Sequence, residues 1–134
     1  LLNKDISVEG YNQYEFLSSE LFDIFKIVDF TISRAGANAL YEFLALNIPA
    51  ILVPLGTNQS RGDQIENAKF FEKNGFALVI QEDSFKDLEL TKVDDFYNSL
   101  NDYKNAMIKY KDEKKVINNV EDFYNKILKE VGGK

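Results

Sequence analysis

Ser33-Arg34-Ala35-Gly36-Ala37-Asn38 places a cation, a glycine and an amide between an apolar run and a helical pattern. Glu42 follows Asn38 by four residues, on the side opposite Leu40 and Leu44, so the core requires neither polar side chain. A helix starting here has first-turn N–H groups without intrahelical partners, and its dipole adds partial positive charge, which favours phosphate. Gly36 has no Cβ, so a ligand can come close to the backbone. Arg34 offers charge or, equally, a structural tie to loop carbonyls. A carboxylate repels phosphate, so Glu42 suits a pair of hydroxyls such as a ribose diol, from which it can accept two hydrogen bonds. The alternative for Glu42 is a solvated side chain on an ordinary turn.

A second polar corner follows at Leu55-Gly56-Thr57-Asn58-Gln59-Ser60-Arg61-Gly62, leading into Asp63-Gln64-Ile65-Glu66-Asn67. Asp63 can cap a helix, and that is its commoner use. Gln64 and Asn67 fall on the first turn, and an amide both donates and accepts, which matches sugar hydroxyls better than phosphate.

The elements that must position these residues are legible in the hydrophobic pattern. Short continuous apolar runs predict strands at Tyr14–Leu17, Phe30–Ser33, Ala50–Pro54 and Ala77–Ile80, of the kind covered on both faces in a parallel sheet. Helical patterns predict helices at Ser19–Ile27, Ala37–Leu46 and Asp63–Lys73, the last stopped by Gly75. Both polar corners then follow the carboxyl ends of strands and open on the same sheet edge, where ligands of α/β sheets bind. Phe96, Leu100, Tyr103, Met107 and Tyr110 form one apolar stripe; Val116, Val120, Phe123, Ile127 and Val131 form another. Each predicts an amphipathic helix covering the sheet. The fold class expected is α/β, a Rossmann-like parallel sheet over 11–91 with two C-terminal amphipathic helices over 92–134, the whole of 1–134 being a single partial domain.

Composition narrows the chemistry. The 134 residues carry a net charge of −6, with 45% hydrophobic and 28% charged residues. That balance gives no excess of cations for neutralising nucleic-acid phosphates, so no nucleic-acid partner is expected. Cysteine and histidine are both absent, which excludes disulfides, thiol nucleophiles, zinc sites with N or S ligands and histidine-based triads. Asp63 and Glu66 form no evident oxygen cage, so neither a metal nor another cofactor is expected. No apolar run reaches the length of a membrane span, and a cytoplasmic setting is the default expectation. The only methionine is Met107 and the chain opens Leu1-Leu2-Asn3-Lys4, so an excised or processed piece of a longer protein is expected.

The stretch from Asp29 to Pro54, followed by Ser60 to Ile80, closely resembles the C-terminal, donor-binding half of MurG-type glycosyltransferases. These are the undecaprenyl-diphospho-muramoylpentapeptide β-N-acetylglucosaminyltransferases of bacterial cell-wall synthesis. The resemblance covers residues 11–80 strongly and the terminal helices loosely. It implies a GT-B architecture of two Rossmann-like domains, with UDP-N-acetylglucosamine held mainly by the C-terminal one. On that resemblance Ala37, Asn38 and Ala39, beside Arg34 and Gly36, approach the diphosphate and sugar. Glu42 holds the ribose hydroxyls, and Gln64, flanked by Asp63 and Asn67, contacts the N-acetylglucosamine. Phe16 and Leu17 lie beside the uracil. The partners implied are UDP-N-acetylglucosamine and, through another domain, the lipid-linked muramoyl-pentapeptide acceptor, at the cytoplasmic face of the cell membrane.

The chain also departs from that pattern. No Gly-rich loop precedes Tyr11, the family's histidine before the glutamine is replaced by the stretch Thr57 to Arg61, and no acceptor-binding domain is present. The catalytic base is therefore unknown and expected in the missing domain, and the chain alone is expected to be inactive. Two competing readings are a UDP-sugar epimerase or glycolipid synthase of the same architecture, and a non-catalytic UDP-sugar-binding subunit. If Tyr14–Leu17 is the family's third strand and Phe30–Ser33 its fourth, the strands between them are missing. The exposed edge is then expected to draw Tyr14–Leu17 alongside or to pair two chains as a homodimer.

Overall fold

A computed structural model describes residues 7–56 and 63–113. The elements run α1 (Ser19–Phe25), β1 (Thr31–Ser33), α2 (Ala37–Leu46), β2 (Ala50–Leu52), α3 (Asp63–Lys73), β3 (Ala77–Val79), α4 (Glu82–Phe85), α5 (Leu90–Asn98) and α6 (Leu100–Glu113). The three strands form one parallel sheet in the order β1-β2-β3. Thr31 aligns with Ala50 and Ala77, and Ser33 with Leu52 and Val79. All three residues of central β2 are buried, as a strand covered on both faces requires.

α2 and α3 occupy the residues that their periodicity predicts, and both end by the same device. Asn47 takes the left-handed conformation (φ 57°), and the Ile48 N–H reaches back to the Phe43 carbonyl at 2.8 Å. Gly75 (φ +77°) does the same for α3, with the Phe76 N–H on the Phe71 carbonyl at 2.9 Å. These are Schellman ends, which satisfy orphan carbonyls and turn the next apolar residue inward. Ile48 and Phe76 both enter the core. Lys111 of α6 adds hydrogen bonds to the Ala45 carbonyl and the Asn47 side chain, fixing α6 to the end of α2. Burial there holds the Lys111 ammonium below its ordinary pKa, with Asp112 opposing the shift.

The core on the α2–α3 side contains Leu40, Phe43, Leu44, Leu52, Phe71, Phe76 and Met107. Phe71 and Phe76 meet edge to face at 5.2 Å, and Phe76 meets Tyr110 at 5.3 Å. Such pairs add to simple area burial. Elsewhere Phe30 packs against Phe96 of α5 at 5.3 Å.

Two expectations are corrected, and a third feature is additional to them. Tyr14–Leu17 forms no strand; residues 11–17 are irregular, with Tyr14 60% and Phe16 81% exposed. α1, which would carry the crossover, buries none of its residues fully and meets the core through Phe25, edge to face with Phe43 at 5.5 Å. β1 accordingly pairs with β2 alone among the described residues. Second, the stripe from Phe96 to Tyr110 spans two helices, broken at Ser99. The Ser99 carbonyl accepts from Asp102 and Tyr103 and starts α6, while Phe96, Met107 and Tyr110 stay buried across the break. Third, the four-residue α4 was not expected. The stripe from Val116 to Val131 lies outside the described residues.

Candidate functional site

The site is built where β1 and β2 end. β1 delivers Ser33 and Arg34 to the carboxyl edge, and α2 begins three residues later. Gly36 precedes α2 with φ −72° and ψ 143°, an extended conformation open to any residue, and no side chain caps the helix there. A Cβ at this position would meet nothing within 4 Å, so no contact within the protein requires glycine here. The first turn of α2 also holds no acidic residue. The N–H groups of Ala37, Asn38 and Ala39 therefore sit at a helix start whose partial positive charge has no local counter-charge.

Along α2 the faces divide as the sequence implies. Leu40, Phe43 and Leu44 are buried, Asn38 is exposed and Glu42 is partly exposed. Burial and, secondarily, the neighbouring Glu42 carboxylate push the Tyr41 phenol above its ordinary pKa. Glu42 thus stands one helical turn beyond Asn38, close enough to the corner to reach a group attached to a bound phosphate.

Arg34 is engaged by the protein. Its Nη1 donates to the Val53 carbonyl at 3.2 Å and its Nη2 to Glu82 Oε1 at 2.7 Å. The guanidinium thereby links the ends of β1 and β2 to α4. Both side chains are nearly half exposed, so solvent screens the pair, and its value lies in orientation more than in stability. A hollow of about 360 Å³ opens at this link, lined by Ile32, Val53 and Phe85 together with Arg34, Glu82 and Lys86. Glu82 was not anticipated, although any residue just after a third parallel strand must emerge on the same edge.

The second corner lies against the first. Gln64 Oε1 accepts from the backbone N–H groups of Ala35 and Leu55, at 3.3 and 2.9 Å. Asn67 Nδ2 donates to the Ala35 carbonyl at 2.8 Å. Asp63 is exposed in the first turn of α3. The structure therefore gathers Arg34, Gly36, Ala37, Asn38, Ala39, Gln64 and Asn67 around one corner, with Glu42 a turn away. Phe16 and Leu17 belong to the irregular N-terminal segment, Leu17 only partly buried. No group of three or more metal-ligating side chains stands among the described residues. No helix among them is long and apolar enough to cross a membrane.

Together, fold and corner define a class: Rossmann-like α/β domains, whose ligands sit beyond the carboxyl ends of parallel strands. Within that class, residues 3–127 match the glycosyltransferase family 28 C-terminal domain, and the chain belongs to that family. It is 44% identical over 97% of its length to a UDP-N-acetylglucosamine--N-acetylmuramyl-(pentapeptide) pyrophosphoryl-undecaprenol N-acetylglucosamine transferase of Staphylococcus haemolyticus, covering 36% of that protein. Proteins of the same name are 58% identical over 62% of the chain in Staphylococcus carnosus, with 23% of that protein covered. In Clostridium botulinum the match is 48% identical over 77% of the chain, with 29% of that protein covered. The chain thus spans about a third or less of these relatives' lengths. No solved structure matches it.

Proposed function

We propose that the chain is the donor-binding part of an inverting glycosyltransferase. The whole enzyme would transfer N-acetylglucosamine from UDP-N-acetylglucosamine to the muramoyl-pentapeptide lipid of peptidoglycan synthesis, at the cytoplasmic membrane face. The observation that carries this reading is the uncapped, acid-free start of α2 at the carboxyl edge, with Glu42 one turn away. The names of the relatives supply the donor and acceptor.

The acceptor hydroxyl attacks the anomeric carbon of the donor from the face opposite UDP, and the bond from that carbon to the phosphate oxygen breaks. UDP leaves with the bonding electron pair, and the acceptor proton passes to a base outside this chain. Residues 37–39 stabilise the negative charge that grows on the diphosphate, through the first-turn N–H groups of α2. Glu42 accepts from the two ribose hydroxyls and fixes the nucleoside. Gln64 faces the N-acetylglucosamine, with Asp63 and Asn67 beside it. Arg34 borders the site, and Phe16 and Leu17 lie beside the uracil. The chain's part is positioning and charge stabilisation. Pairing of two chains along the β1 edge belongs to the same proposal, and light scattering on the purified chain tests it.

Glu42→Ala in the complete enzyme tests the assignment. Losing two charge-assisted hydrogen bonds should cost about 2–4 kcal/mol of transition-state binding, with the fold unchanged. A wild-type kcat/KM for UDP-N-acetylglucosamine would remove Glu42 from the site.

A further inference from the structure

Ala35 is completely buried, and both of its backbone polar groups are held by side chains from α3. Gln64 Oε1 receives its N–H and Asn67 Nδ2 donates to its carbonyl. The partners fix the orientation of each amide, because a backbone N–H requires the oxygen and a carbonyl requires the nitrogen. Asn67 is itself only 5% exposed, and an amide is buried favourably only when paired. It sits between Gln64 and the core residues Ala68 and Phe71, so the clasp is anchored to the face of α3 that is buried in the core. The same Gln64 oxygen also takes the Leu55 N–H, joining the loop after β2 to the turn after β1.

Ala35 immediately precedes Gly36, where α2 starts with no side-chain cap. The direction of the Ala37, Asn38 and Ala39 N–H groups therefore depends on what restrains Ala35. We propose that Asn67 and the Gln64 carbonyl are positioning residues that fix the α2 start in the geometry receiving the donor's diphosphate. This rests on the donor-site reading above. A second consequence concerns specificity. Both lone pairs of Gln64 Oε1 are engaged, so toward the sugar this residue offers only its NH2. It donates to acceptor oxygens there and does not accept a hydrogen bond from a sugar hydroxyl.

The test uses the complete enzyme and two readouts. Asn67→Ala should lower kcat for UDP-N-acetylglucosamine turnover about 10- to 100-fold, as a misplaced phosphate cradle would, while the KM for the lipid acceptor stays unchanged. Asn67→Asp has the same shape but presents an oxygen to the Ala35 carbonyl, so it should not rescue. Gln64→Glu keeps an oxygen for both N–H groups, whereas Gln64→Met removes it. Amide hydrogen exchange at Ala35 and Leu55 should accelerate together in Gln64→Met and remain slow in Gln64→Glu. A wild-type kcat in Asn67→Ala, with or without a lower Tm, would make the clasp merely structural and overturn the proposal. Equal acceleration of exchange in Gln64→Glu and Gln64→Met would overturn it as well. If the wild-type enzyme turns over no UDP-N-acetylglucosamine, the donor reading fails instead, and the exchange rates still decide whether the clasp holds the corner.

Discussion

The two corners at the carboxyl edge differ in how their helices begin. α2 starts at Gly36 without a side-chain cap and with no acid in its first turn, whereas α3 carries Asp63 and Glu66 in its first turn. An acidic residue near a helix start contributes about 0.3–1 kcal/mol. The chain takes that stabilisation at α3 and forgoes it at α2. It also spends two α3 amides on the backbone of the α2 corner. One helix start thus carries acidic side chains in its first turn, and the other is held in shape but left without them. That asymmetry separates the corner suited to the diphosphate from the one that braces it and offers an amide to the sugar.

Three substitutions test the asymmetry. Asn38→Asp has the largest expected effect. A carboxylate in the first turn of α2 should lower kcat/KM for the UDP-sugar at least tenfold through repulsion of the diphosphate. Stability should stay within about 0.5 kcal/mol, because the favourable dipole term is offset by Glu42 four residues on. Steady-state kinetics beside thermal unfolding would show both, and unchanged kinetics would make the openness of α2 incidental. Gly36→Ala comes next. Its backbone conformation is ordinary and its Cβ would enter empty space, so the fold should hold within about 0.5 kcal/mol. A methyl group there should nevertheless raise the donor KM several-fold if phosphate approaches the backbone. The smallest effect belongs to Glu66→Gln on α3, a loss of about 0.3–1 kcal/mol with donor kinetics unchanged. A kinetic defect in that variant would erase the distinction between the corners.

The same contrast explains what the sequence made legible. α2 and α3 are readable to their ends because each buries a helical stripe on this chain's own sheet and stops at a residue suited to a left-handed turn, Asn47 or Gly75. Tyr14–Leu17 is equally apolar but forms no strand, since an apolar run says nothing about whether a paired edge awaits it. The break at Ser99 was hidden because the buried stripe continues through it. At the site, the exposed side of α2 followed from the spacing of Asn38 and Glu42 against Leu40 and Leu44. The roles of Arg34, Gln64 and Asn67 did not. Each is set by backbone groups 9 to 32 residues away or by Glu82, and side-chain type cannot reveal such a partner.

The central claim is that the α2 start and Glu42 hold a UDP-sugar, and a crystal structure of the complete enzyme with UDP-N-acetylglucosamine tests it most directly. The expected result places the diphosphate within hydrogen-bonding distance of the backbone N–H groups of residues 37–39. Both ribose hydroxyls should donate to the Glu42 carboxylate, with the Gln64 oxygen still on Ala35 and Leu55. A nucleotide bound away from this corner, or bound here with Glu42 turned to solvent, would contradict the account.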